Sequence, residues 1–233
     1  MGRINQSFCL GCYRSEDIEL EELLRRAKAV GYAAVEIWQR AREPWEELVE
    51  LTRKVGLRIA SMSGHDSLTV GLNDPAEHDR IEAELLESIR IAEECDVPGL
   101  ICFSGNRDGR DDEESIEVCA EGLRRVIGAA EDAGVNLNME LLNSKVNHPG
   151  YQCDHTEWGV RVCRAVDSPR AKLLYDIYHM QIMEGDLIRT ITENIDYIGH
   201  FHTAGNHDPV LLHKDQAIYY PSVIHRFAAP DYP

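Results

Sequence analysis

No stretch of the 233 residues approaches the roughly 20 consecutive apolar residues that a membrane-spanning helix needs. Residues 1–10 hold neither a basic leader nor a long apolar run, so the expected location is cytoplasmic, with no membrane partner. Basic residues are scarce: 24 Lys and Arg face 41 Asp and Glu, and the formal charge of -17 argues against partners built of phosphates, nucleic acid above all. Lysine is rare even beside arginine, and such an acidic surface keeps a protein dissolved in concentrated salt, as a halophilic source would require. Cys9 and Cys12 form a Cys-x-x-Cys pair, but the second pair that a zinc site would want is missing. A secreted disulfide scaffold would be shorter with an even cysteine count. The 7 cysteines are therefore read as small buried hydrophobes in a reducing compartment. Ser- or Pro-rich linkers, low-complexity tracts and repeats are also lacking, so residues 1–233 read as one domain.

What is present is an ordinary globular composition, 43% apolar and 28% charged, arranged as short apolar runs alternating with segments of helical period. That rhythm is the signature of a parallel sheet built from βαβ units. Strands are expected at 4–11, 33–38, 58–63, 99–104, 136–142, 171–177 and 197–203. Helices are expected at 18–30, 44–55, 75–94, 112–133, 156–165, 186–195 and 221–228. Asp74 followed by Pro75 reads as a helix start, and Gly31, Gly56 and Gly134 follow helix ends where a left-handed residue is wanted. The fold class is thus α/β, a (β/α)8 TIM barrel in which the eighth strand is not found before Pro233. A barrel needs closure, so either that strand is supplied some other way or the sheet keeps an open edge.

Polar and apolar residues alternate through Asn136, Leu137, Asn138, Met139, Glu140 and Leu141, which places Glu140 on the interior face at the C-terminal end of its strand. The next strand ends in Asp176, with His179 three residues on. An Asp there is often only a helix cap, but the following helix is expected to start near 184–186. In the seventh strand His200 and His202 share a face, because their spacing is two. Either histidine alone could be a satisfied core residue. Together, three consecutive strands deliver Glu140, Asp176 and His202 where barrel enzymes assemble their sites. Two carboxylates with one imidazole suit Mn2+, Mg2+ or Co2+ better than a structural zinc.

Several segments together resemble the xylose-isomerase-like barrels, and within them the hydroxypyruvate isomerases and ketose 3-epimerases. They are Gly31-Tyr32-Ala33-Ala34-Val35-Glu36-Ile37-Trp38, Gly71-Leu72-Asn73-Asp74-Pro75, Cys102-Phe103-Ser104-Gly105-Asn106-Arg107, Met139-Glu140-Leu141-Leu142-Asn143, Tyr175-Asp176-Ile177-Tyr178-His179-Met180-Gln181 and Gly199-His200-Phe201-His202-Thr203-Ala204. The resemblance implies a cytoplasmic enzyme of carbohydrate metabolism that isomerises or epimerises a small hydroxy-carbonyl substrate, hydroxypyruvate or a ketose, through a cis-enediolate. It implies that Glu140 binds the metal and moves a proton, that Asp176 and His202 are metal ligands, and that His65, Asn143 and His179 line the substrate pocket.

The family's second acid/base, a Glu on the eighth strand, has no counterpart, since no Glu follows Glu193. Ala217 stands where another Glu is expected, and the run Asn206-His207-Asp208-Pro209 replaces a loop in which relatives carry an Arg. His207, Asp208 and Asp215 are the remaining candidates for that role. The alternative reading is therefore a catalytically impaired barrel that binds metal and a sugar-like ligand without turnover. A DNA-repair endonuclease of the same superfamily would need a basic groove and more ligands, which the charge of -17 opposes. Exposed strand edges lead to the expectation of a homodimer or higher homo-oligomer.

Overall fold

Seven parallel strands form one sheet in the computed structural model, which describes residues 4–15, 17–206 and 215–228. They are β1 (Ser7–Cys9), β2 (Ala34–Ile37), β3 (Arg58–Ser63), β4 (Gly99–Cys102), β5 (Asn136–Glu140), β6 (Ala171–Asp176) and β7 (Ile198–His202), paired in chain order. The helices are α1 (Leu10–Tyr13), α2 (Leu20–Val30), α3 (Trp45–Val55), α4 (His78–Glu94), α5 (Asp112–Ala133), α6 (Thr156–Val166), α7 (Ile177–Met183), α8 (Leu187–Asn194) and α9 (Tyr220–Ala228).

In a flat sheet β2 and β7, five spacings apart, would be separated by about 24 Å. Yet Glu36 on β2 and His202 on β7 bring side-chain atoms to 2.9 Å. The sheet is therefore curled round on itself with those residues inside, as the alternation of strands and helices predicts. Among the described residues there are seven strands and no eighth, and β1 and β7 end the sheet.

Local chemistry fixes the helix ends. Asp111 caps α5 by accepting from the N–H groups of Glu113 and Glu114, and Gly134 closes it at φ 72°. Gly31 and Gly56 end α2 and α3 in the same left-handed conformation. On the outer side, Leu137 and Met139 of β5 are fully buried with the apolar faces of α4, α5 and α6, which pack side by side. Each such side chain contributes about 2 kcal/mol of burial. No helix among the described residues is long and apolar enough to cross a membrane.

Three expectations are corrected. The first strand stops at Cys9, because Leu10 turns into the short α1, where its carbonyl accepts from the Arg14 N–H. The helix after β6 does not wait until 184–186. It begins at Ile177, because Asp176 Oδ1 accepts from the His179 N–H, and Ile177, Met180 and Met183 then share a buried face. Finally, Asp74 does accept from Ala76 N–H, but the turn it caps is 3-10 over Pro75–Glu77, and α4 starts at His78. All seven cysteines are free. Cys102, Cys119, Cys153 and Cys163 are buried as expected, whereas Cys12 is exposed.

Candidate metal centre at the strand ends

Two irregularities in the ladder aim the side chains. Between β6 and β7, Leu173 pairs with Ile198 but Leu174 pairs with His200, leaving Gly199 as the extra residue. A β-bulge of this kind shifts the inward and outward phase of a strand, and here it turns His200 and His202 towards the interior. Only glycine fits the position: a Cβ on Gly199 would lie 2.3 Å from Asn138 Oδ1 and 2.9 Å from Lys172 Cβ. A matching slip between β2 and β3 places Glu36 opposite Ser61 after Val35 opposite Ile59. Glu36 and the two histidines meet above these bulges.

At the ends of β5, β6 and β7, Glu140, Asp176 and His202 converge. His202 Nδ1 lies 3.1 Å from Glu140 Oε1 and 3.8 Å from Asp176 Oδ2, and one ligand atom from each residue falls within 4.8 Å of the others. Glu140 and Asp176 are 8% and 7% exposed. Burial raises the Asp176 carboxyl above its usual range, against the pull of His202 and of the His179 and Tyr178 N–H groups. Burial works against a charge on His202 too, but its contacts with Glu140 and Glu36 prevail and raise it well above the usual imidazole range. A cation is what this pocket asks for, and its hard oxygen and imidazole donors fit a divalent ion with water completing the shell.

The structure gives the other expected residues different surroundings. His65 is 3% exposed; its Nε2 accepts from the Phe103 N–H at 2.9 Å and its Nδ1 faces the Asp66 carbonyl at 3.0 Å. Both ring nitrogens are thereby taken by backbone. Asn143 is wholly buried, its Oδ1 accepting from Val146 and Asn147 N–H and its amide NH2 reaching Asn147 Oδ1 and His179 Nδ1. It builds the loop after β5 and orients a neighbour. That neighbour, His179, accepts at Nδ1 from the Asn143 N–H and keeps Nε2 for the pocket, 3.9 Å from Asp176 Oδ2. Burial lowers His179 to about 4, so it stays neutral near pH 7 with Nε2 carrying its proton. Asp215 and Ala217 are both exposed, and His207 and Asp208 lie outside the described residues.

Sequence reasoning missed Glu36. Its Oε2 lies 2.9 Å from His202 Nε2 and 3.1 Å from His200 Nε2, while Oε1 accepts from the Ser7 hydroxyl. Burial opposes its charge, but the two facing imidazoles hold the carboxyl well below the usual range. The signal was available, since a Glu between Val35 and Ile37 in an apolar strand must find a partner inside. The loops round this centre are also tied together: Tyr151 donates to the Glu140 carbonyl at 2.9 Å, and buried Asn73 donates to Gln152 Oε1 at 2.6 Å.

A family model described as xylose isomerase-like TIM barrel matches residues 24–233. Hydroxypyruvate isomerase of Escherichia coli is 41% identical over 69 residues, covering 28% of this chain and 27% of that enzyme. L-ribulose 3-epimerase of Methylomonas is 26% identical over 196 residues, covering 78% of this chain and 65% of that enzyme. Among solved structures, a family 2 AP endonuclease from Brucella melitensis superposes with a TM-score of 0.82 at 21% identity, over 96% of this chain and 88% of the other, a likeness of fold.

Proposed function

The chain belongs to the xylose isomerase-like TIM barrel family, and on that premise we propose that it is a divalent-metal-dependent isomerase or epimerase of a small hydroxy-carbonyl compound, hydroxypyruvate or a ketose. The observation that carries this reading is the meeting of Glu140, Asp176 and His202 around His202 Nδ1 at the ends of consecutive strands. The relatives point the same way, one isomerising hydroxypyruvate and another epimerising L-ribulose.

Bound by those three residues, a Mn2+, Mg2+ or Co2+ ion would act as a Lewis acid and ease removal of a proton from the carbon beside a carbonyl. Glu140 is the base that takes the proton, and the neutral His179 offers Nε2–H to a substrate oxygen. An isomerisation returns the proton to the neighbouring carbon, which Glu140 itself can do on one face of a cis-enediolate, whereas an epimerisation delivers a proton to the opposite face of the same carbon and needs a second group. Among the described residues, apart from the proposed ligands Glu140 and Asp176, the carboxylate beside His202 is Glu36, whose Oε2 already faces His202 at 2.9 Å and His200 at 3.1 Å. This supports a second reading, in which the barrel binds ion and ligand but turns over slowly, since a missing acid/base group costs about 10² to 10⁴-fold.

Deuterium wash-in followed by NMR, with the Mg2+-loaded protein in D2O and hydroxypyruvate or L-ribulose as substrate, separates the two. The proposed enzyme exchanges the carbon-bound proton and forms product, and Glu140→Gln abolishes both. Exchange without product supports the impaired barrel. Neither exchange nor product with either class of substrate sinks the enzymatic reading.

Metal content gives an independent check. Asp176→Asn keeps the α7 cap, because Asn caps nearly as well as Asp, but offers a poor ligand. The variant should fold like the parent and lose its ion; unchanged stoichiometry by elemental analysis would remove Asp176 from the site.

A further inference from the structure

Glu36 reaches the centre from the opposite wall of the barrel, and what it does there follows from the two nitrogens of one ring. A neutral imidazole carries a single N–H, and the hydrogen bond made by one nitrogen decides which face the other offers as a lone pair. His202 Nε2 sits 2.9 Å from Glu36 Oε2, while Nδ1 sits 3.1 Å from Glu140 Oε1 and 3.8 Å from Asp176 Oδ2. With the proton on Nε2, the ring donates to Glu36 and turns a bare Nδ1 towards the two carboxylates that would share the ion. With the proton on Nδ1, two acceptors would face each other at Nε2, and the only ring lone pair would point away from Glu140 and Asp176.

We infer that Glu36 is the positioning carboxylate of this centre, holding His202 by its Nε2–H so that Nδ1 is the nitrogen presented to the ion. The inference rests on the metal reading above and adds to it the coordinating atom and the residue that selects it. Glu36 is built for the task. It is 4% exposed, its second oxygen is anchored by the Ser7 hydroxyl of β1, and the bulge between β2 and β3 fixes its height against His202. His200 Nε2 lies 3.1 Å from the same Oε2 but off the direction of a hydrogen bond, and its ring packs edge-on to His202 at 5.4 Å. His200 therefore fills the space on the far side of the ring and leaves the directed hydrogen bond to His202. Such outer carboxylates on metal-bound histidines are worth about 10 to 100-fold in metal affinity.

The competing assignment is a second ion, because Glu36, His200 and His202 also place ligand atoms within 4.8 Å of one another. Zinc titration of the full-length, 15N-histidine-labelled protein, read by long-range 1H–15N NMR, decides between them. The inference expects one equivalent bound, with His202 coordinating through Nδ1 and protonated at Nε2. Glu36→Gln retains a side-chain carbonyl to accept from Nε2–H, so it should keep the tautomer and stay within several-fold of the parental affinity. Glu36→Leu should lose about 10 to 100-fold in affinity and show a mixture of His202 tautomers. Its circular dichroism should match the parent.

Coordination through Nε2 in the parent protein overturns the inference whether or not Glu36→Leu folds. So does undiminished affinity in Glu36→Leu, or two bound equivalents of which Glu36→Gln loses one. If the parent binds no zinc at all, the metal reading falls with it, whereas binding that ignores Glu36 overturns this inference alone.

Discussion

Asp154 shows how single residues hold the mouth of the barrel. It is 3% exposed, takes a two-pronged contact from Arg107 at 3.2 Å on each oxygen, and accepts from Ser144 and from His155. Burial would raise its carboxyl, but the hydrogen bonds from His155, Arg107 and Ser144 prevail and bring it down to about 2. Arg107 stands in the loop after β4, and Asp154 and Ser144 in the loop after β5, so the cluster ties together two walls of the pocket. Because the folded value lies below the unfolded value of about 3.9, this stabilisation is complete above about pH 5 and is lost as the pH falls through 4 towards 2. His155 carries the opposite sign: its hydrogen bond to Asp154 raises it, so its share is present in mildly acidic solution and lost as the pH rises through its folded value. Asp154→Asn is expected to cost about 2 kcal/mol at pH 7 and to flatten the fall in stability between pH 4 and pH 2. Urea unfolding at pH 7, 4 and 3 measures both; a parallel drop in parent and variant would remove Asp154 from the acid response. At this scale Glu140, Asp176 and His202 were legible in the sequence because each ends a strand, and position along a strand is what alternation reports. For Glu36 only the need for an interior partner was legible; the partners themselves lie on β7 across the barrel, and alternation says nothing about contacts between distant strands.

Two elements were read to the residue. α5 runs over Asp112–Ala133 as its Asp111 cap and Gly134 stop dictate, and β3 over Arg58–Ser63. The slips were invisible, since a bulge adds one residue to a pattern of period two without changing its composition. The start of α7 was missed for a related reason: Asp176 serves both as its cap and as a candidate ligand, and a sequence shows one side chain without showing that its two oxygens have separate tasks. The bulge at Gly199 yields a prediction for the element. Gly199→Ala would push its methyl into Asn138 Oδ1 and Lys172 Cβ, and relieving that overlap should cost about 1–3 kcal/mol. Because the same bulge aims His202, metal affinity should fall along with stability. Asn138→Ala in the Gly199→Ala background opens space and should restore part of both, giving a coupling energy in a double-mutant cycle. Strict additivity of the two changes in thermal melts and zinc titrations would mean that Asn138 is not what enforces the glycine.

For the whole molecule, two electrostatic effects of opposite sign compete. Surface pairs such as Arg25–Glu21, Arg124–Glu117 and Arg161–Glu113 are weakened by salt, but each exposed pair is worth only about 0–1 kcal/mol. Against them stands the self-repulsion of a chain with formal charge -17, which acts between every unpaired carboxylate within a screening length. That length is about 10 Å at 0.1 M salt and about 3 Å at 1 M, so raising the salt removes the longer-ranged repulsion while costing little in pairs that already touch. Thermal midpoints should therefore rise between 0.05 M and 1 M NaCl. Association should respond in the same sense. We propose a homodimer, since β1 ends the described sheet on one side and a strand edge is a surface that a second copy can cover. Two copies of so acidic a chain repel at low salt, and the dimer should tighten as salt increases, opposite to a complex held by ion pairs. Light scattering across a wide protein concentration range at both salt levels tests this: a monomer throughout removes the dimer. A midpoint that falls with salt would show that the ion pairs outweigh the net charge.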